Sequence, residues 1–175
     1  VEIMESRSTD WLSKIKVESD PSRLWRSESD RLQPREWGEL VHQILSKIRF
    51  AEDVETVLRP YLTGATIDTQ DAEWIREKFL QMLGNQVIAP AFDQAAKVKT
   101  ECEILFNGNV KRLDRYAELP DVVYLLDYKT GKKDDKHKKQ LSEYSAAIKS
   151  LTDKEIHAYL VYLADDVEVL SIDEM

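Results

Sequence analysis

The stretch Val122–Gly131, VVYLLDYKTG, constrains this chain more than any other. An extended strand sends successive side chains to opposite faces. Asp127 and Lys129 then share a face with Val123 and Leu125, while Val122, Tyr124, Leu126 and Tyr128 line the other. A segment apolar on both faces belongs inside a sheet covered on both sides. Its acid and its amine come last, where such a sheet opens to solvent. A bare Asp-x-Lys is more often a salt bridge closing a strand end. At this position the pair can also hold a divalent cation and place a water beside it.

The remaining sequence has to supply that sheet and its covers. A chain of 175 residues is long enough for one domain with a sizeable core. Hydrophobic residues at 42% and charged residues at 33% suit a water-soluble globular protein. No apolar run is long enough to span a bilayer, and the first residues lack the apolar segment of a signal peptide. The chain does not begin with Met, which fits a piece of something longer. Cys102 is the only cysteine. It excludes an intrachain disulfide and any zinc or iron–sulfur cluster held by four cysteines of this chain. A reducing, cytoplasmic setting is the simplest expectation. The net charge of −8 speaks against coating nucleic acid by bulk charge and leaves room for a local basic groove.

Residues 1–33 read as an N-terminal arm, with a peripheral strand at 11–17 and a polar, Ser- and Asp-rich loop behind it. Pro34 suits a first helical turn, and Trp37, Leu40, Val41, Ile44, Leu45 and Ile48 then recur at the helical period. Gly38 and His42 sit one turn apart at the edge of that stripe. Glycine inside a helix costs about 1 kcal/mol relative to alanine, so close approach of another backbone or a ligand is its usual reason. A second helix carries Val54, Val57, Leu58, Tyr61 and Leu62 and stops at Gly64. A third opens at Asp68 or Thr69 and ends at Gly84-Asn85, and Ile88–Ala96 adds a short one at Pro90. These helices, residues 34–97, read as a packed cap whose aromatic residues serve the core.

At Val98 the period changes to two. Val98, Thr100, Cys102, Ile104 and Phe106 alternate with Lys99, Glu101, Glu103 and Leu105, and Asn107-Gly108 is a strong hairpin signal. The returning strand carries Val110, Arg112 and Asp114 on one face. If Pro120 and Asp121 form the next turn, Leu119 pairs with Val122 and Asp114 falls opposite Asp127. Directly opposed Cβ atoms lie about 5 Å apart. Two carboxylates at that distance repel unless a cation lies between them or Arg112 or Arg115 neutralises a solvated pair, and hard oxygen ligands suit Mg²⁺ or Mn²⁺. After Gly131 comes KKDDKHKK, a locally basic run, and then a helix with His137, Gln140 and Tyr144 on one side. A closing hairpin spans Ile156–Leu163 and Val167–Ile172. Helices, three antiparallel strands, a crossover helix and two more strands make an α/β fold with a mixed sheet over residues 98–175. No phosphate-binding loop of an ATPase is present, because Leu126 stands where its first glycine would be.

Four motifs in order carry a resemblance: Gly38-Glu-Leu-Val-His42, Leu113-Asp114-Arg115, Asp127-Tyr-Lys-Thr-Gly131 and Gln140-Leu-Ser-Glu-Tyr144. Together they resemble the RecB-type nuclease domain of the PD-(D/E)XK superfamily. More narrowly, they resemble the C-terminal nuclease domain of AddA/RecB- and UvrD-like helicases. Glu101 matches a glutamate often seen on the preceding strand. An alignment counted from Gly108 would instead put Lys111 in the acid's place.

The resemblance implies a restriction-endonuclease-like mixed sheet over residues 34–175 and a metal-dependent deoxyribonuclease. It implies Mg²⁺ or Mn²⁺ held by His42, Asp114, Asp127 and the carbonyl of Tyr128. Lys129 would act on the nucleophile and on charge at the phosphate, and Gln140 and Tyr144 would brace Lys129 or contact the strand being cut. Gly38, Arg115, Lys132 and Lys133 would meet the DNA, which reaches the site single-stranded. The implied partners are a helicase motor of the same parent chain and a second subunit, in recombination and double-strand-break repair. No membrane is involved. A rival of another class is a degenerate nuclease fold that serves as a DNA-binding or protein-interaction module.

Overall fold

The structure is a computed structural model that describes residues 3–5, 33–106 and 108–172. Along the chain lie β1 (Ile3–Glu5), α1 (Pro34–Lys47), α2 (Asp53–Thr63), α3 (Thr69–Gly84), a 3-10 turn (Ala89–Phe92), β2 (Lys97–Phe106) and β3 (Asn109–Glu118). Then follow β4 (Val122–Lys129), α4 (Asp135–Lys149), β5 (Glu155–Leu163) and β6 (Val167–Ser171). The strand expected at 11–17 lies outside the described residues. The helix starts follow local chemistry. Pro34 opens α1, and Glu36 accepts the backbone N–H of Gln33 at 3.0 Å. Asp68 accepts from the Asp71 N–H at 2.8 Å while Asp71 reaches back to the Asp68 N–H, closing a reciprocal cap on α3.

The six strands of the described residues stand in sequence order in one sheet, β1-β2-β3-β4-β5-β6. Among them only β4 and β5 are parallel, and α4 is the crossover between them. The central strand is β4, apolar on both faces because both are covered. Tyr124, Leu126 and Tyr128 pack with α1, α2, α3 and the 3-10 turn, whereas Val123 and Leu125 pack with Leu141, Tyr144, Ala147 and Ile148 of α4. Glu118 pairs with Val123, Arg115 with Leu126, and the Leu119 N–H donates to the Val122 carbonyl at 2.9 Å. Pro120 and Asp121 therefore form the turn, and the pairing runs as far as Arg115 with Leu126, one residue short of Asp114 and Asp127.

The β2–β3 ladder has one gap. Thr100 pairs with Arg115 and Cys102 with Leu113, but Glu101 and Asp114 between them do not pair, and Glu101 has φ +50°. Such a conformation costs a non-glycine residue about 1–3 kcal/mol. Val98 and Ala117 pack into the helical cap, while Cys102, Ile104 and Leu113 pack under α4. Residues at even spacing share a face in an unbroken strand. The ladder thus changes faces at Glu101 and Asp114.

Arg115 corrects an expectation. Its placement beside Asp114 suggested DNA contact, but its side chain is 0% exposed. Nε donates to the Ala91 carbonyl and Nη1 to the Ile48 carbonyl, each at 3.0 Å, and Nη2 donates to the Arg49 carbonyl. The guanidinium stacks on Phe92, 4.1 Å from its ring centre. Carbonyls just past a helix end need donors from elsewhere, and Arg115 supplies them from the sheet. Replacing it with Met would leave three acceptors unpaired. Arg115→Met is expected to lose about 3 kcal/mol or more of stability in urea denaturation. A loss under about 1 kcal/mol would show that water satisfies those carbonyls instead.

Candidate active site

Side chains from three elements meet where β4 ends. Lys129 Nζ lies 2.7 Å from Asp127 Oδ2. His42 Nδ1, reaching from α1, lies 3.1 Å from Asp114 Oδ1, and Asp114 Oδ2 accepts the backbone N–H of Tyr128 at 2.7 Å. Asp114 and Asp127 are within hydrogen-bonding reach of one another. Both are buried, at 7% and 2% exposure. A carboxylate can only accept, so the His42 proton sits on Nδ1, and a neutral His42 keeps its Nε2 lone pair free.

These groups set one another's charge. Burial pushes the Asp127 carboxyl up to about 7, with the charge of Asp114 adding to the rise and Lys129 opposing it. Burial acts in the same direction on Asp114, but His42 and the Tyr128 N–H outweigh it and hold Asp114 below the usual carboxylate range. Burial works against charge on His42, yet Asp114 raises it overall. Glu101, paired with Arg112 at 2.8 Å, is a third carboxyl beside Asp114, raised by burial and then by that neighbour.

The remaining residues named from the sequence fall around this centre. Gly38 is buried, and a Cβ placed on it would stand 2.7 Å from Thr130 Oγ1. Its neighbour is therefore the end of the β4 segment, not an open groove. Tyr144 donates its hydroxyl to the Arg112 carbonyl at 2.5 Å and accepts from Gln140 Nε2 at 2.7 Å. This ties α4 to β3 two residues from Asp114. Lys132 and Lys133 are exposed, and Lys133 pairs with Glu168. Lys111 pairs with Glu143 of α4, so Asp114, not Lys111, joins His42 and Asp127. The sequence pattern did not pair Gly38 with Thr130, although a helical glycine signals some close neighbour. It also gave no role to Tyr162, the register partner of Lys129 on β5.

The donor set fits a divalent cation. Asp127 Oδ2 is buried without a hydrogen bond, because the Lys129 ammonium is close but poorly aligned for one. Two adjoining carboxyls and an imidazole provide hard oxygen ligands and a nitrogen. Among the described residues no group of three or more His, Cys, Asp or Glu side chains is already arranged to hold an ion. Internal ion pairs, His42 to Asp114 and Lys129 to Asp127, occupy these ligands instead.

Two outcomes follow from this packing. A carboxyl whose pKa rises from 3.8 to about 7 on folding binds its proton more tightly when folded. Its contribution to stability is complete below about pH 4 and is lost as pH climbs through about 7. In EDTA, Asp127→Asn is expected to flatten the fall in melting temperature over that window. An unchanged profile would place the titration elsewhere. Gly38→Ala is expected to displace Thr130, and with it Lys129, lowering any activity of the site about 10-fold with the fold intact. Gly38→Ala with Thr130→Ala should recover it, since the next nearest atom is Thr130 Cβ at 3.9 Å. Full activity of Gly38→Ala alone would show that Thr130 rotates aside freely.

Comparison with known proteins bears on the family and fold of this chain. An ATP-dependent helicase/nuclease protein of Clostridium novyi (strain NT) is 26% identical over 187 residues, which is 83% of this chain and 15% of that protein. A crystal structure from Eubacterium rectale, described as a candidate exonuclease, is similar with a TM-score of 0.50 at 9% identity. That likeness covers 82% of this chain and 61% of the other. The chain thus spans a small part of the helicase/nuclease protein, and it spans under two thirds of the exonuclease structure. A family model for the PD-(D/E)XK nuclease superfamily, whose members generally use divalent metals, matches residues 19–171. The chain belongs to the PD-(D/E)XK nuclease superfamily.

Proposed function

We propose that this chain is a divalent-metal-dependent deoxyribonuclease domain that hydrolyses phosphodiester bonds of single-stranded DNA. The observation that carries the reading is the cluster at the end of β4: Asp114, Asp127, Lys129 and His42, with one Asp127 oxygen left without a hydrogen bond. His42, Asp114, Asp127 and the carbonyl of Tyr128 are the groups that would hold Mg²⁺ or Mn²⁺. Such an ion supplies Lewis acidity at the phosphate and a more acidic water.

The chain's own residues account for the rest. Lys129 orients the attacking water and offsets negative charge that grows on the phosphorane oxygens. The water oxygen bonds to phosphorus, the bond from phosphorus to one deoxyribose oxygen breaks, and a proton passes from water to the leaving oxygen. Gln140 and Tyr144 hold α4 against β3 and so fix Asp114 relative to Lys129. The exposed Lys132 and Lys133 attract the DNA backbone. The likeness to a helicase/nuclease protein supports a wider setting. In it, an ATP-driven motor of the same parent chain, with a second subunit, feeds unwound DNA to the site during cytoplasmic recombination and double-strand-break repair.

Cleavage of a labelled single strand in Mg²⁺, Mn²⁺ or EDTA tests this reading. Metal-dependent cutting is expected, reduced about 10²-fold to 10³-fold or more in Asp127→Ala and in Lys129→Ala. A folded wild type that neither cuts nor binds a divalent ion in calorimetry would overturn it and leave a DNA-binding or protein-interaction module.

A further inference from the structure

Beside the cluster lies a residue that the proposed chemistry does not use. His137 stands in the first turn of α4, and its Nδ1 is 2.9 Å from the hydroxyl of Tyr162. Tyr162 is the parallel register partner of Lys129, and such partners point their side chains to the same face of a sheet. Tyr162 packs in the α4 cluster with Val123 and Leu125, the side on which Lys129 also falls by alternation. The imidazole therefore sits one strand away from the Lys129 ammonium, over the C-terminal ends of two parallel strands. Ligands of open α/β sheets gather at such ends. The Lys133 ammonium approaches the Tyr162 ring at 6.0 Å.

The bond to Tyr162 favours one tautomer of the ring. Tyr162 is 4% exposed, and among the described residues its hydroxyl has one hydrogen-bond partner, His137 Nδ1. A buried phenol left without an acceptor is costly, and in the tautomer that avoids this cost the Tyr162 O–H donates and Nδ1 accepts. The other ring nitrogen, Nε2, then carries the hydrogen of the neutral imidazole. It has no protein partner among the described residues, and the side chain is half-exposed. Burial, and then the charge of Lys129, hold His137 below its ordinary pKa against the opposing pull of Asp134. Near neutral pH the ring is uncharged.

We infer that His137 is a further substrate-contacting residue, whose Nε2–H, aimed by the Tyr162 hydroxyl, donates as an uncharged group to a backbone phosphate next to the one that is cut. Lysines supply diffuse attraction to any polyanion. A neutral donor fixed by a buried tyrosine instead sets where along the strand the phosphate stops. The inference rests on the nuclease reading only in taking DNA as the substrate.

Binding is therefore measured apart from cutting. The 175-residue chain is titrated with a fluorescent single-stranded oligonucleotide at about pH 8, in Ca²⁺ or EDTA, over a series of salt concentrations. His137→Ala is expected to weaken binding about 10-fold with the slope of log affinity against log salt unchanged. Lys132→Ala should lower that slope by about one phosphate contact. His137→Gln, which keeps a donor near the Nε2 position, should restore most of the loss. Tyr162→Phe should weaken binding by itself and add nothing to His137→Ala. Wild-type affinity in His137→Ala, a reduced salt slope in that variant, or no binding by the wild type would each overturn the assignment. A wild type that binds, loses affinity in His137→Ala and yet cuts nothing in Mg²⁺ would uphold the contact and sink the catalytic reading.

Discussion

Two carboxyls buried side by side at a sheet end dictate what surrounds them. Asp114 and Asp127 lose nearly all contact with water, and charge in that position is costly unless it is met by opposite charge and by donors. Three neighbouring groups answer to that demand. Lys129 lies against Asp127, His42 against one oxygen of Asp114 and the Tyr128 N–H against the other. Because His42 comes from α1, that helix must pass close to the end of β4, and a side chain at Gly38 would collide with Thr130. Because α1 must be held there, carbonyls beyond its end are gripped by Arg115 from inside the sheet. One electrostatic requirement thus reaches from the strand to the helix and back.

The site lies on the seam between two cores. The helical cap packs on one face of the sheet and α4 on the other, so neither core alone positions the cluster. The Tyr144 hydroxyl bonds the Arg112 carbonyl and locks the α4 side, while Arg115, three residues along, locks the cap side. Asp114 stands between these two clamps, at the gap where the β2–β3 ladder changes faces. The strain at Glu101 accompanies that change. A regular strand would send Arg112, Asp114 and Tyr116 to one face, and the gap interrupts that pattern beside the acid.

What could be read from the sequence was local or periodic. The covered strand Val122–Lys129, the helical stripes, the Pro120-Asp121 turn and the register bringing Asp114 near Asp127 all depend on neighbours within a few residues. Asp114 and Asp127 were legible as a pair because a two-residue turn fixes register. Arg115 was not legible, since its neighbour in sequence points to the site while its own partners, Ala91, Ile48 and Arg49, lie far away along the chain. Gly38 announced a close neighbour without naming Thr130. The pairing of His137 with Tyr162 depends on a parallel register across a helical crossover, which no short-range signal sets.

The balance of charge in the cluster bears on how it would respond to a cation. Asp114 is ionised, Asp127 sits near its midpoint at neutral pH, Lys129 is positive and His42 is drawn toward its charged form. The sum is close to zero, which is what lets such a cluster stay buried. A doubly charged ion would reverse the forces that now hold these protons. It would favour the ionised form of Asp127 and the neutral form of His42, so that binding releases protons. The same exchange would relieve Lys129 of its task as counter-ion to Asp127. An ammonium freed from a buried carboxylate beside the exposed Lys132 and Lys133 is available to a phosphate. Under the nuclease reading Lys129 would then answer two needs from one position, neutralising the cluster without an ion and facing a phosphate with one bound.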